Sequence, residues 1–149
     1  VKKISAQIQG REEIHLDFEL DNDGCVSKFQ LSGVGDDRFL SELVKTRGIL
    51  KNAKLNEIPL PAGNSPAEIL IREVLSKAQG KWKYPITSDE LCHCRGVSTQ
   101  IVDSAICAGA VTPEMVSRET SASTACGTCR GDVEALIALR LQKNNENTP

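Results

Sequence analysis

The chain has 149 residues, 40% hydrophobic and 26% charged, which is enough for one ordinary domain or two small ones, but only five aromatic residues are available to fill a core. Eighteen basic against twenty acidic residues give a formal charge of -2, so the basic excess that neutralises a phosphate backbone is missing and nucleic acid is not expected as a partner. The apolar runs are far shorter than the ~20 residues that cross a bilayer, and no charged-then-apolar leader opens the chain, so a soluble, cytoplasmic protein is expected, with no membrane partner.

Charge and cysteine divide the chain unevenly. Residues 1–84 hold 13 basic and 12 acidic side chains and one cysteine, whereas residues 85–149 hold 5 and 8 and five cysteines. Two modules are expected, meeting where Pro85 discourages a continuous helix after Trp82 and Tyr84. Six cysteines without a secretory leader point to metal ligands or redox groups rather than a disulfide framework, because reducing compartments keep thiols reduced.

Ile4, Ala6 and Ile8 alternate over residues 3–9 and predict a first strand. Ile14, Leu16, Phe18 and Leu20 alternate with Glu13, His15, Asp17 and Glu19, the period of a strand with one buried and one wet face. Asp23-Gly24 tolerates the positive φ of a tight hairpin. Cys25, Ser27, Phe29 and Leu31 are expected on one face of the returning strand, with Cys25 as a small buried hydrophobe and His15 on the wet side. Gly33-Val34-Gly35 is expected to break the strand, Asp36 to cap a helix carrying Phe39, Leu40, Leu43 and Val44, and Gly48 to stop that helix. Ser65-Pro66-Ala67-Glu68 reads as a helix start, in which serine accepts from an exposed amide and proline fits the first position. Leu70, Ile71, Val74, Leu75 and Ala78 then form its buried stripe. Strands with helices on one face make an α+β layer.

This order, with Asp23-Gly24 through Phe29 to Gly33-Val34-Gly35 and Asn64-Ser65 before the longer helix, resembles the scaffold domain of iron-sulfur assembly proteins of the IscU and NifU type. That family has a cysteine within the glycine-rich turn and another in the later loop, where this chain has Val34 and, approximately, Asn64. A valine cannot donate a thiolate to iron, so the resemblance implies the scaffold fold in a degenerate form that has lost its assembly chemistry.

In the second module Cys92-His93-Cys94 is followed, after 31 residues, by Cys126-Gly127-Thr128-Cys129. Each pair can chelate from one short loop, and intervening helices can bring the loops to one centre. Four sulfur donors suit zinc, copper(I) or an iron-sulfur cluster and argue against magnesium or calcium. Ser98 can cap a helix carrying Ile101, Val102, Ala105 and Ile106 and ending near Gly109; Thr112-Pro113-Glu114 starts another through Val116; Val133, Leu136, Ile137 and Leu141 stripe a third. Three short helices bury little, and a metal centre would supply the missing constraint. Amides at the helix starts after Cys94 and Cys126, and the backbone at Gly96, Gly127 and Gly131, are expected to face the negative charge of such a centre. His93 is expected beside the centre without ligating it, and Cys107 as a packed thiol.

Cys92-His93-Cys94-Arg95-Gly96-Val97-Ser98, Gly109-Ala110-Val111-Thr112 and Thr124-Ala125-Cys126-Gly127-Thr128-Cys129 resemble the 2Fe-2S domain of the bacterioferritin-associated ferredoxin family, shared with the central domain of NifU, over about residues 88–142. Carried over residue by residue, the resemblance implies that Cys92, Cys94, Cys126 and Cys129 are the four ligands of a 2Fe-2S cluster. It also implies a small all-α helix-turn-helix domain at residues 85–149, with its cluster near the surface. The function implied is one-electron transfer, or cluster assembly or carriage, for a protein partner in iron or redox metabolism, with residues 1–84 as a docking or regulatory module. No nucleophile-base pair, dinucleotide loop or paired-carboxylate spacing is recognisable, so the chain is not expected to be an enzyme. The alternative for the same four cysteines is a structural zinc in an interaction module, and the sequence indicates no oligomeric state.

Overall fold

The structure is a computed structural model and describes residues 1–87, 89–92, 96–122 and 130–141. The chain divides into two compact units, Val1–Trp82 and Lys83–Pro149.

Alternation of apolar and polar residues in the first unit produces β1 (Lys2–Gln7), β2 (Glu13–Leu20) and β3 (Val26–Val34), an antiparallel sheet in the order β1-β2-β3. Its register sets Ala6 opposite Ile14, Ile4 opposite Leu16, Leu16 opposite Leu31 and Phe18 opposite Phe29. One face is therefore apolar and the other, with exposed His15, polar. The β2–β3 hairpin is closed by Asp21, whose Oδ1 accepts from the amides of Asp23 and Cys25, both at 2.9 Å, and by Gly24 at φ +81. At the hairpin end the expected parity fails. A register shift between Glu19 and Leu20 places Val26 opposite Leu20, so that Val26, 2% exposed, continues the buried face. Cys25 is only half-buried and bridges to Lys54, Ser27 faces solvent, and Leu20 is 38% exposed. One extra residue in a strand inverts every later side chain, which a strict period of two does not anticipate.

β3 does not break at Gly33. It runs to Val34, with Gly33 paired to Ile14, because the glycines serve close packing instead. A Cβ at Gly33 would lie 2.6 Å from the Glu13 carbonyl oxygen and 2.9 Å from Leu43 Cδ1, and one at Gly35 would lie 2.5 Å from Phe39 Cδ1. The following helix α1 (Asp37–Leu50) is capped by Asp36, whose Oδ1 accepts from Phe39 N at 2.9 Å. It passes Gly48 and ends two residues later, since Leu50 buries beside Phe39, Leu43 and Thr46. Leu40 and Val44, expected in its apolar stripe, are exposed.

Ser65 opens α2 (Pro66–Ala78): its Oγ accepts from Glu68 N at 3.3 Å and donates to Glu68 Oε1 at 2.8 Å. Leu70, Ile71, Val74 and Leu75 are buried as expected, but so is most of the helix circumference, because α2 packs against β1, β2 and α1 together. Arg72 is buried with it and donates through Nη1 to the carbonyls of Pro61 and Gly63 (2.7 and 2.8 Å) and through Nη2 to Asn64 Oδ1 (3.1 Å), satisfying the loop that precedes the helix.

The second unit contains β4 (Glu90–Cys92), β5 (Val97–Ser98), α3 (Thr99–Cys107), α4 (Pro113–Thr120) and α5 (Arg130–Arg140). Ser98 caps α3, its Oγ accepting from Ile101 N at 3.1 Å, and Thr112 caps α4, accepting from Met115 N at 3.2 Å. α3 lies against α4, α5 and both short strands. Val102, Ile106, Val116, Val133, Leu136, Ile137 and Leu141 are buried, whereas Ile101, assigned to the apolar stripe by spacing, is exposed. The helical region is as the pattern implied; the ribbon β4–β5 is added to it. Among the described residues no helix is long and apolar enough to cross a membrane.

Candidate metal centre

Of the four candidate ligands, Cys92 lies within the described residues; Cys94, Cys126 and Cys129 lie outside them, as does His93. Cys92 is the last residue of β4 and pairs with Val97 of β5. Its exposure is 2%, and Leu91 and Val97 beside it are also buried. The ribbon rests on α3, and Thr99 N at the start of α3 donates to Asp89 O at 2.8 Å, tying the helix start to the residue that leads into β4. Gly96, at φ +64, leads into β5 in a backbone conformation that side chains disfavour. Cys92 and Val97 are thus fixed points, and the four residues between them include Cys94.

Two donors of the first turn of α3 have partners within the chain, Thr99 N on Asp89 O and Ile101 N on Ser98 Oγ.

Residues 123–129, which include Cys126 and Cys129, join two anchored ends. At the first, α4 closes with Ser121 at φ 69, Ser117 Oγ donates to Ala122 O at 2.7 Å, and Ala122 N donates to Thr120 Oγ1 at 3.1 Å. At the second, Arg130 donates to Glu114 Oε2 across to α4 at 2.9 Å and lies 3.4 Å from Glu134 Oε2 on its own helix. Glu114's own backbone amide, and then the Arg130 guanidinium, hold its carboxyl below the usual glutamate range.

A polar cluster missed by spacing joins α3 to α5. Asp103 accepts two parallel hydrogen bonds from Arg140, Nε to Oδ1 at 2.6 Å and Nη2 to Oδ2 at 2.7 Å, and a third from the Tyr84 hydroxyl at 2.9 Å. Arg140 is 5% exposed. Burial, with the Asp103 carboxylate adding to it, pushes the Tyr84 phenol well above its ordinary range. Cys107 is buried on α3 with Sγ 3.9 Å from Asp103 Oδ1, which agrees with a packed thiol. The only advance signal for this cluster was the presence of an acid and a base on stripes otherwise apolar.

The donor set fits a cluster of iron and sulfide: four thiols, one of them buried at a strand end among apolar neighbours, with no oxygen ligand required. Residues 91–138 match the family model of the BFD-like [2Fe-2S] binding domain, a span from β4 into α5 that contains all four candidate cysteines. No curated protein and no solved structure matches the chain. The cofactor of the matched segment is therefore a 2Fe-2S cluster, and iron-sulfur cluster binding is the property established for the chain.

Proposed function

We propose that the protein is a one-electron carrier in which Cys92, Cys94, Cys126 and Cys129 hold the cluster, serving a protein partner in iron or redox metabolism, with the first unit as its docking or regulatory module. The observation that carries this reading is the family match over residues 91–138 together with the burial of Cys92 at the end of β4. When bound, a 2Fe-2S cluster accepts and returns a single electron, gaining one negative charge on reduction. Cys92 is 2% exposed, so little water reaches its side chain, and Asp103–Arg140 holds α3 against α5, between which the chain passes through the second cysteine pair.

In this reading the chain carries electrons or clusters and is not itself an enzyme. Nor does the first unit build clusters: Val34, 63% exposed, and approximately Asn64 stand where the scaffold family it resembles has cysteines, and neither supplies sulfur.

Iron, acid-labile sulfide and zinc measured on anaerobically isolated protein, with spectra before and after dithionite, test the proposal. Two irons and two sulfides per chain, with a paramagnetic signal after one-electron reduction, are expected. Zinc in a colourless protein would replace this reading with a structural one. Cys25→Ser is expected to leave the iron and sulfide load unchanged; its loss would return an assembly role to the first unit. A cluster that leaves for an apo-acceptor while no electron passes would make the protein a cluster carrier.

A further inference from the structure

Among the described residues nothing packs against Gly48 to account for it. It occupies the interior of α1, where glycine weakens a helix relative to alanine, yet its φ is not positive, and a Cβ built on it meets nothing within 4 Å. The same outward face carries Leu40 and Val44, 41% and 60% exposed, opposite the buried stripe of Phe39, Leu43, Thr46 and Leu50. Asp37, Leu40, Val44 and Gly48 share that face of α1, and Lys51 is the C-cap residue just past its end, so the steps between them are three, four, four and three residues.

We propose that α1 is a self-recognition surface on which a second copy of this chain packs antiparallel, about a two-fold axis through Val44. Self-complementarity selects this occupant: Leu40 and Gly48 stand at equal steps on either side of Val44, and an acid and a base, Asp37 and Lys51, stand at equal steps beyond them. Antiparallel pairing about Val44 sets Val44 on the partner's Val44, Leu40 over the partner's Gly48 and Asp37 beside the partner's Lys51, each repeated by the two-fold. Gly48 then supplies the space that a leucine from the other helix fills. The acidic start of one helix meets the basic end of the other, so charge and shape favour the same register. One helix face per copy is a small interface, and association at roughly micromolar protein is expected.

Sedimentation velocity on the cluster-loaded full chain, from about 5 to about 300 µM, tests it. Wild type is expected to form a dimer with rising concentration. Val44→Glu, which places two carboxylates on the axis at an exposed position, is expected to be monomeric with unchanged far-UV circular dichroism and iron content. Gly48→Ala raises the thermal midpoint while weakening the dimer about tenfold, since helix propensity improves as the leucine loses its seat. Asp37→Lys and Lys51→Asp each weaken the dimer several-fold, and together they restore it. A wild type that stays monomeric, a dimer that survives Val44→Glu, a tighter Gly48→Ala dimer, or charge reversals that fail to compensate would each overturn the proposal.

Discussion

Asp103 concentrates three interactions on one carboxylate, and its environment decides what each is worth. Its side chain is 13% exposed and that of Arg140 is 5%, so neither charge has much water to fall back on. Truncating Arg140 leaves an enclosed carboxylate without its bidentate partner, and Arg140→Ala is expected to destabilise the second unit by about 3 kcal/mol. Urea unfolding followed by the visible absorbance of the cluster measures this. Tyr84 adds a pH dependence whose sign follows from its raised phenol. The folded state keeps the proton that the unfolded phenol loses near pH ~10, so the stabilisation is complete below that pH and declines as pH rises above it. Tyr84→Phe should remove this part of the alkaline decline, visible as a flatter dependence of the denaturation midpoint on pH. Gly33 is constrained by sterics rather than charge: with a backbone oxygen 2.6 Å from any Cβ, Gly33→Ala must shift β2 or α1. A loss of about 2 kcal/mol in the first unit is expected by chemical denaturation.

Elements whose signals are local appeared where the sequence placed them. Asp36, Ser65, Ser98 and Thr112 each accept a hydrogen bond from an amide three residues on, a geometry that a capping residue determines within a single turn. Ser65→Ala and Ser98→Ala are each expected to cost about 1 kcal/mol, the first in α2 and the second in the helix that supports the Cys92 ribbon. Ser98→Ala should also speed cluster loss under chelator, because it frees the first turn of α3. Elements without a local signal were not legible. β4 and β5 are three and two residues long, too short for any period, and exist because α3 gives them a surface to pair upon. The bulge that puts Val26 in place of Cys25 depends on the pairing of β3 with β2, and the passage of α1 through Gly48 depends on the site that receives Leu50.

At the scale of the whole molecule, the two units draw on different means of stability. The first buries Ile14, Leu16, Phe18, Phe39, Leu43, Leu70 and Val74 between a sheet and two helices. The described residues of the second form three short helices, a ribbon and the Asp103–Arg140 pair, and its family-matched segment takes a 2Fe-2S cluster. Cys92→Ser is expected to reduce iron and sulfide below about a tenth of wild type and to diminish helical far-UV signal from the second unit, while the sheet of the first persists. Hydrogen exchange by mass spectrometry distinguishes the two: protection should fall across α3 to α5 and remain in β2, β3 and α2.

The sequence alone determined what short-range chemistry controls: the apolar faces of β2 and α2, the four helix caps, the division of cysteine between the halves, and a sulfur-donor set with the spacing of a cluster domain. The tertiary structure decided the inward side of β3 at its hairpin end, the close approach of Phe39 to Gly35, the ribbon that carries Cys92, and the salt bridge between Asp103 and Arg140, 37 residues apart. The physical reason is range. A cap or a stripe is settled by atoms a few residues away, whereas parity, close packing and buried charge pairing are settled by whichever distant segment arrives to share the space.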